Sequence, residues 1–250
     1  MELFQLSRKN MAKFLFALKG NGSQTPLVCL QKAWASTHQQ EVQDGKSLPA
    51  FIETRMPPIF EKLIKAKVGH IGLSINEIVS LGNQIEFTNL SSSAVQNWVK
   101  RDVKELIGTP RLGKKYTVEQ AATLFIVEDL KATLDFDSIR KVLALIFNNP
   151  DDQLDDVVDP IEFYAAYASI FEKLHHQNFI ENDNVPFNIK IEQYIKKEAL
   201  NTLQNFTYIK GQQKDIVLNV IIMASFTILS AYYQSFTKKY MTATLFLHGI

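Results

Sequence analysis

The chain has 250 residues, 46% hydrophobic and 21% charged, enough apolar material for one or two domains. Its formal net charge of +1 excludes a strongly basic, histone-like protein, so any nucleic-acid surface has to be a local patch. A lone cysteine, Cys29, rules out an internal disulfide and fits a reducing, cytoplasmic compartment. The first twenty residues scatter their charges and lack the apolar run and small-residue cleavage site of a signal peptide.

In chain order, Ser7 caps a first helix whose stripe is Met11, Phe14, Leu15 and Leu18, with Gly20 at its end. Thr25-Pro26 opens a second helix with Leu27, Leu30 and Trp34 on one face, and the polar stretch 38–47 reads as a loop. A short helix follows Pro57-Pro58. SINE at 74–77 is a capping box opening a helix that buries Ile75, Ile78, Val79 and Leu81 and ends at Gly82. After a loop, Ser91 caps the next helix, with Leu90 and Val95 set for a hydrophobic staple. RLGKKYTV (111–118) resembles a tight hairpin turning at Gly113, and TVEQ (117–120) is a second capping box, followed by a helix at 136–147.

Asn148-Asn149-Pro150 stops that helix and an acidic linker, 150–162, follows. Asp159-Pro160 caps an apolar helix with Phe163, Tyr167, Ile170 and Phe171. A polar segment leads to a helix after Pro186, and Gly211 separates it from a final helix over about 212–237. The expected organisation is an N-terminal helical region (1–70), a middle domain (71–149) and a helical C-terminal region (150–250).

The middle block carries the functional signal. In SSSAVQNWVK (91–100) and its continuation, Val95, Trp98 and Val99 fall on a core face, while Ser93, Gln96, Asn97, Lys100 and Lys104 share the opposite one. Gln and Asn read adenine edges, and serine and lysine hold backbone phosphates. From Lys100 to Lys115, six cations (Lys100, Arg101, Lys104, Arg111, Lys114, Lys115) stand against two acids (Asp102, Glu105). A helix over Ser92–Val103 lying in the major groove, with the 111–116 turn on the phosphates, makes Ser92, Ser93, Gln96, Asn97, Lys100, Arg101, Lys104, Arg111, Lys114 and Lys115 the candidate DNA contacts.

SINEIVSLG, SSSAVQNWVKRDV and RLGKKYTVEQAATLFIVEDLKATLDFDSIRKVL together resemble the DNA-binding domain of the MerR regulators: helix, turn, recognition helix, basic wing with a tyrosine (Tyr116), then two helices. The resemblance covers about 74–147 and implies a mainly α protein with a winged helix-turn-helix. Three features depart from it. The loop 82–90 is long, Asn97-Trp98 stands where paired tyrosines are frequent, and Asn148-Asn149-Pro150 interrupts the chain where the family's dimerisation helix begins. The whole chain is also similar to a bacterial family known as domain of unknown function 1836, which implies no activity.

Other features read more plainly. Trp98 is a core anchor. The acidic run 151–162 has Asp156 where a calcium loop needs glycine, so no metal is expected there. His175-His176 are neighbours that diverge on a helix. Cys29 packs. No phosphate loop, dinucleotide fingerprint, zinc spacing or serine elbow is present, so neither an enzyme nor a cofactor is expected. Ile216–Thr237 carries no formal charge and is long enough to span a bilayer, yet Asn219, Thr227, Ser230, Gln234 and Lys238 draw a polar stripe that suits burial in protein, and membrane contact is not expected.

The resulting expectation is a cytoplasmic, sequence-specific transcription regulator binding double-stranded DNA as a homodimer, its C-terminal region dimerising or sensing an unknown effector. The alternatives are a helical interaction or scaffold protein that keeps the shape without DNA, and a regulator tethered to a membrane by its final helix.

Overall fold

A computed structural model describes residues 2–149, 155–177 and 185–249. The fold is mainly helical. Its helices are α1 (Arg8–Lys19), α2 (Pro26–Thr37), α3 (Gln39–Gln43), α4 (Ser47–Glu53), α5 (Pro58–Ile64), α6 (Ile75–Gly82), α7 (Ser92–Asn97), α8 (Lys104–Ile107), α9 (Val118–Leu130), α10 (Phe136–Leu143), α11 (Pro160–His175), α12 (Phe187–Leu203) and α13 (Gln212–Leu247). A π-helical turn, Trp98–Asp102, separates α7 from α8. Short parallel strands β1 (Glu2–Leu3) and β2 (Thr54–Arg55) pair at the N-terminal end.

The caps form as their side chains dictate. Ser7, Thr25, Ser91, Asp135 and Asp159 each accept a backbone N–H of the following helix, and both capping boxes, Ser74–Glu77 and Thr117–Gln120, are closed reciprocally. Gly20 ends α1 at φ +89°, a left-handed conformation that favours glycine. Gly82 serves packing rather than termination. A Cβ there would overlap Leu90 Cδ1 and lie 2.9 Å from Phe125 Cε1, so only glycine lets the staple residue and α9 meet the end of α6.

Several expectations need correction. The stretch 38–47 contains α3 and begins α4; neither helix buries a residue, so no apolar stripe announced them. Leu27 is exposed, leaving Leu30 and Trp34 as the buried face of α2. The final helix runs ten residues past 237 to Leu247, because Lys238-Lys239 does not break a helix and no glycine or proline intervenes before Gly249. The continuous helix over Ser92–Val103 is interrupted: Val103 N–H donates to Trp98 O (2.9 Å), an i to i+5 bond, and Val103 leaves helical geometry. The linker residues 150–154 and the polar residues 178–184 lie outside the described residues.

One hydrophobic core runs through the segments 1–70, 71–149 and 150–250. α11 lies at its centre, packed by α1, α9, α12 and α13, with Phe163, Tyr164 and Tyr167 fully buried. A buried polar clamp ties three of these helices. Arg8 of α1 donates Nε and Nη2 to Asp129 Oδ1 of α9 (2.9 and 2.7 Å) and Nη1 to the Glu86 carbonyl, and Tyr167 of α11 donates to Asp129 Oδ2 (3.0 Å). Burial opposes the Arg8 charge, but Asp129 outweighs it and the arginine pKa rises.

Among the described residues, α13 is the one helix long and apolar enough to cross a membrane. Its first half is built into the protein, where Val217, Ile221, Ala224 and Ile228 are buried. The polar stripe has partners there too: Thr227 Oγ1 meets Thr133 Oγ1 (3.0 Å), and Gln234 Nε2 donates to the Ala132 carbonyl (3.3 Å). Past Gln234 the helix projects, Lys239 reaching back over the Phe87 ring (5.7 Å), and from Phe236 onward every described residue is exposed.

Candidate nucleic-acid interface

α6 and α7 are set by a compact hydrogen-bonded turn. Asn83 brackets Leu90, accepting its N–H at Oδ1 (2.6 Å) and donating Nδ2 to its carbonyl (3.0 Å). Leu90, Val95, Trp98 and Val99 are buried, so the apolar half of 91–100 is spent on the core and the other half faces outward. Trp98 is thereby a core residue, with Lys131 Nζ 5.1 Å from its ring centroid.

The 111–116 turn lies beside α6. Leu112 and Lys115 exchange backbone hydrogen bonds around Gly113, which sits at φ +67°. Tyr116 and Leu73 likewise exchange two bonds of 2.8 Å, fixing the turn to the residue before the Ser74 cap. Glu77 joins these parts: its carboxylate accepts the Ser74 N–H and pairs with Lys62 of α5 and with Lys115 (3.9 Å). Burial pushes the Glu77 pKa up, but these partners outweigh it and hold the carboxyl at about 2.

Ser93, Gln96, Asn97, Lys100, Arg101 and Lys104 are exposed, as are Lys114 and Lys115. Lys100, Lys104 and Lys114 make no ion pair among the described residues. Arg101 Nε donates to Asp102 Oδ1 (2.7 Å), so its charge is shared. Ser92 is half-buried and donates to Asn76 Oδ1 (2.9 Å). Arg111 departs from the group. It is half-buried beside a cavity of about 20 Å³ lined by Glu119, Gln120 and Asp156, room for about one water, and its Nε is buried without a hydrogen-bond partner. Asp156, desolvated there and repelled by Asp155, has its pKa pushed up to about 6 against the pull of Arg111. Lys104 begins α8, beyond the break at Val103.

Two residues important to this geometry carried no sequence signal. Arg140 of α10 donates Nη1 to the Asp102 carbonyl (2.7 Å) at the end of the π turn. Asn76 docks α7 on α6 through Ser92. Both act through the fold, across 38 and 16 residues of chain, beyond the reach of any local spacing rule.

Elsewhere, His175 packs its ring on Phe171 and Tyr232, with burial first and His176 second lowering its pKa. Cys29 lies half-buried, its thiol pKa raised by burial. Among the described residues no three His, Cys, Asp or Glu side chains group as a metal site.

Residues 66–170 match the family model described as Domain of unknown function (DUF1836). Over 247 residues, covering 98% of this chain and 100% of the relative, the sequence is 37% identical to Uncharacterized protein YkrK of Bacillus subtilis (strain 168). No solved structure gives a significant match. With that identity along nearly its whole length, the chain belongs to the same uncharacterised family as YkrK, and its residues 66–170 carry the DUF1836 pattern.

Proposed function

We propose that this protein binds double-stranded DNA as a transcription regulator, using residues 71–149 as a MerR-like winged helix-turn-helix. In this reading α6 and α7 are the two helices of the motif and the Leu112–Lys115 turn is a minimal wing. The observation that carries it is the uncovered face of Ser93, Gln96, Asn97 and Lys100, polar and cationic, on a helix whose opposite face is locked into the core. Gln96 and Asn97 read base edges; Lys100 and Lys114 hold phosphates; Lys115 contributes less because Glu77 already engages it. Arg111 is not assigned a contact, since it is half-buried and lines the same small cavity as Asp156.

A second reading, a helical interaction protein without DNA, draws on the shortness of α7, which ends at Asn97 before the π turn. Selection of binding sites from random duplexes, followed by salt titration, separates the two. For a DNA regulator, Lys100→Ala and Lys114→Ala each flatten the salt dependence by about one unit of slope. Gln96→Ala or Asn97→Ala instead costs about 1–3 kcal/mol on the selected site with little change of slope. A wild type with no preference over random duplex, or lysine variants that bind unchanged, rejects the DNA reading.

A further inference from the structure

We propose that the projecting half of α13 pairs antiparallel with the same segment of a second copy of this chain. Leu229, Tyr233, Phe236, Tyr240, Ala243 and Leu247 follow one another at alternating steps of four and three residues, the spacing that keeps an apolar seam on one side of a helix. At about 100° per residue, this seam lies roughly 110° around the helix from the face formed by Val217, Ile221, Ala224 and Ile228, so it points away from the core that holds the first half. Tyr233, Phe236, Tyr240 and Leu247 are 54%, 38%, 75% and 78% exposed. With a bare aromatic side chain at about 200 Å², the seam leaves on the order of 500 Å² of apolar surface uncovered, near the largest patch a monomer normally shows.

The occupant is indicated by what already covers the lower part of the seam. α12 and α13 are joined by the short stretch 204–211 and lie antiparallel: Leu200 and Leu203 border a groove with Lys214, whereas Phe187 and Ile191, at the start of α12, border one with Leu229 and Tyr233. α12 therefore begins beside Leu229, and among the described residues the seam beyond it is bare. A second α13 running antiparallel continues along the same side. With Phe236 opposite Tyr240 of the partner subunit, Tyr233 meets the small Ala243 of the partner subunit, and Leu247 of the partner subunit reaches Leu229 at the groove of about 350 Å³ bordered by Phe187 and Ile191. The arrangement is two-fold symmetric, so each copy offers both a tip and a groove. Lys238 lies off the seam at mid-length and Lys239 sits over the rings of Phe87 and Phe236 (5.7 and 5.6 Å), two cations that the interior of a bilayer does not suit.

The test uses the full chain without DNA or detergent, so its outcome is independent of the DNA reading. Light scattering at micromolar concentration should give twice the chain mass, and Tyr240→Glu should halve it with the circular dichroism spectrum unchanged. In a Cys29→Ser background, the pair Leu229→Cys and Leu247→Cys should form disulfides between subunits, while Leu247→Cys alone should not. A monomeric wild type, a dimer indifferent to Tyr240→Glu, or cross-linking through Leu247→Cys alone overturns the proposal. So does flotation of the protein with phosphatidylcholine–phosphatidylserine vesicles accompanied by loss of the dimer.

Discussion

Glu77 does more than close a capping box. It is the shared anion for Lys62 of α5 and Lys115 of the 111–116 turn, and its carboxyl is held at about 2 against an ordinary 4.5. A depressed carboxylate pKa contributes stability that is fully present above the unfolded value and is lost as pH falls through the folded one. Acid titration followed by circular dichroism should therefore show part of the stability lost between about pH 4.5 and pH 2, and Glu77→Gln should remove that part of the profile while also destabilising at neutral pH. Equal pH profiles for the two proteins would deny Glu77 this role. The box itself was legible, because Ser74 and Glu77 lie within one helical turn. Its two lysine partners were not, because Lys62 and Lys115 come from separate parts of the chain. Arg111 shows the reverse: a cation grouped by sequence with the exposed Lys114 is half-buried by the fold, lining a small cavity with Asp156.

At the scale of elements, periodicity found the helices with a buried face and missed α3 and α4, which bury nothing. It also drew one helix through Ser92–Val103 where the chain makes α7, a π turn and α8. Trp98, Val99 and Val103 all reach the core on both sides of the point where the helix is interrupted. That turn frees carbonyls, and Arg140 takes one of them, Asp102 O. Because Arg140 is one-third exposed, Arg140→Ala should cost about 1 kcal/mol. The effect should centre on Trp98–Val103, read as faster amide hydrogen exchange there than in α9; uniform acceleration would point to a general loss of stability instead.

For the whole molecule, the clamp of Arg8, Asp129 and Tyr167 makes the N-terminal helix part of the same body as α9 and α11. Removing one partner from a buried ion pair leaves the other uncompensated, and Asp129→Ala should destabilise by about 3–5 kcal/mol in chemical denaturation. Replacing both residues, Arg8→Met with Asp129→Leu, should recover most of that loss. Additive losses in the double variant would show that the pair is not energetically coupled. The mainly helical class and the order of elements in the middle block were readable from caps and stripes. The union of the three segments was not, since it rests on contacts such as that between Arg8 and Asp129, separated by 121 residues.

The packing of α1 on α11 also has a consequence in time. Translation delivers Phe14, Leu15 and Leu18 about 150 residues before the helix that covers them, and at about 5–20 residues per second that interval is roughly ten to thirty seconds. Throughout it, α1 can pack on α2, which follows it directly, while the face that α11 covers stays open. α9, which also packs on α1, emerges some 45 residues before α11 and can offer only a partial seat. The native core, centred on α11, therefore closes only after that helix has been made, late in synthesis.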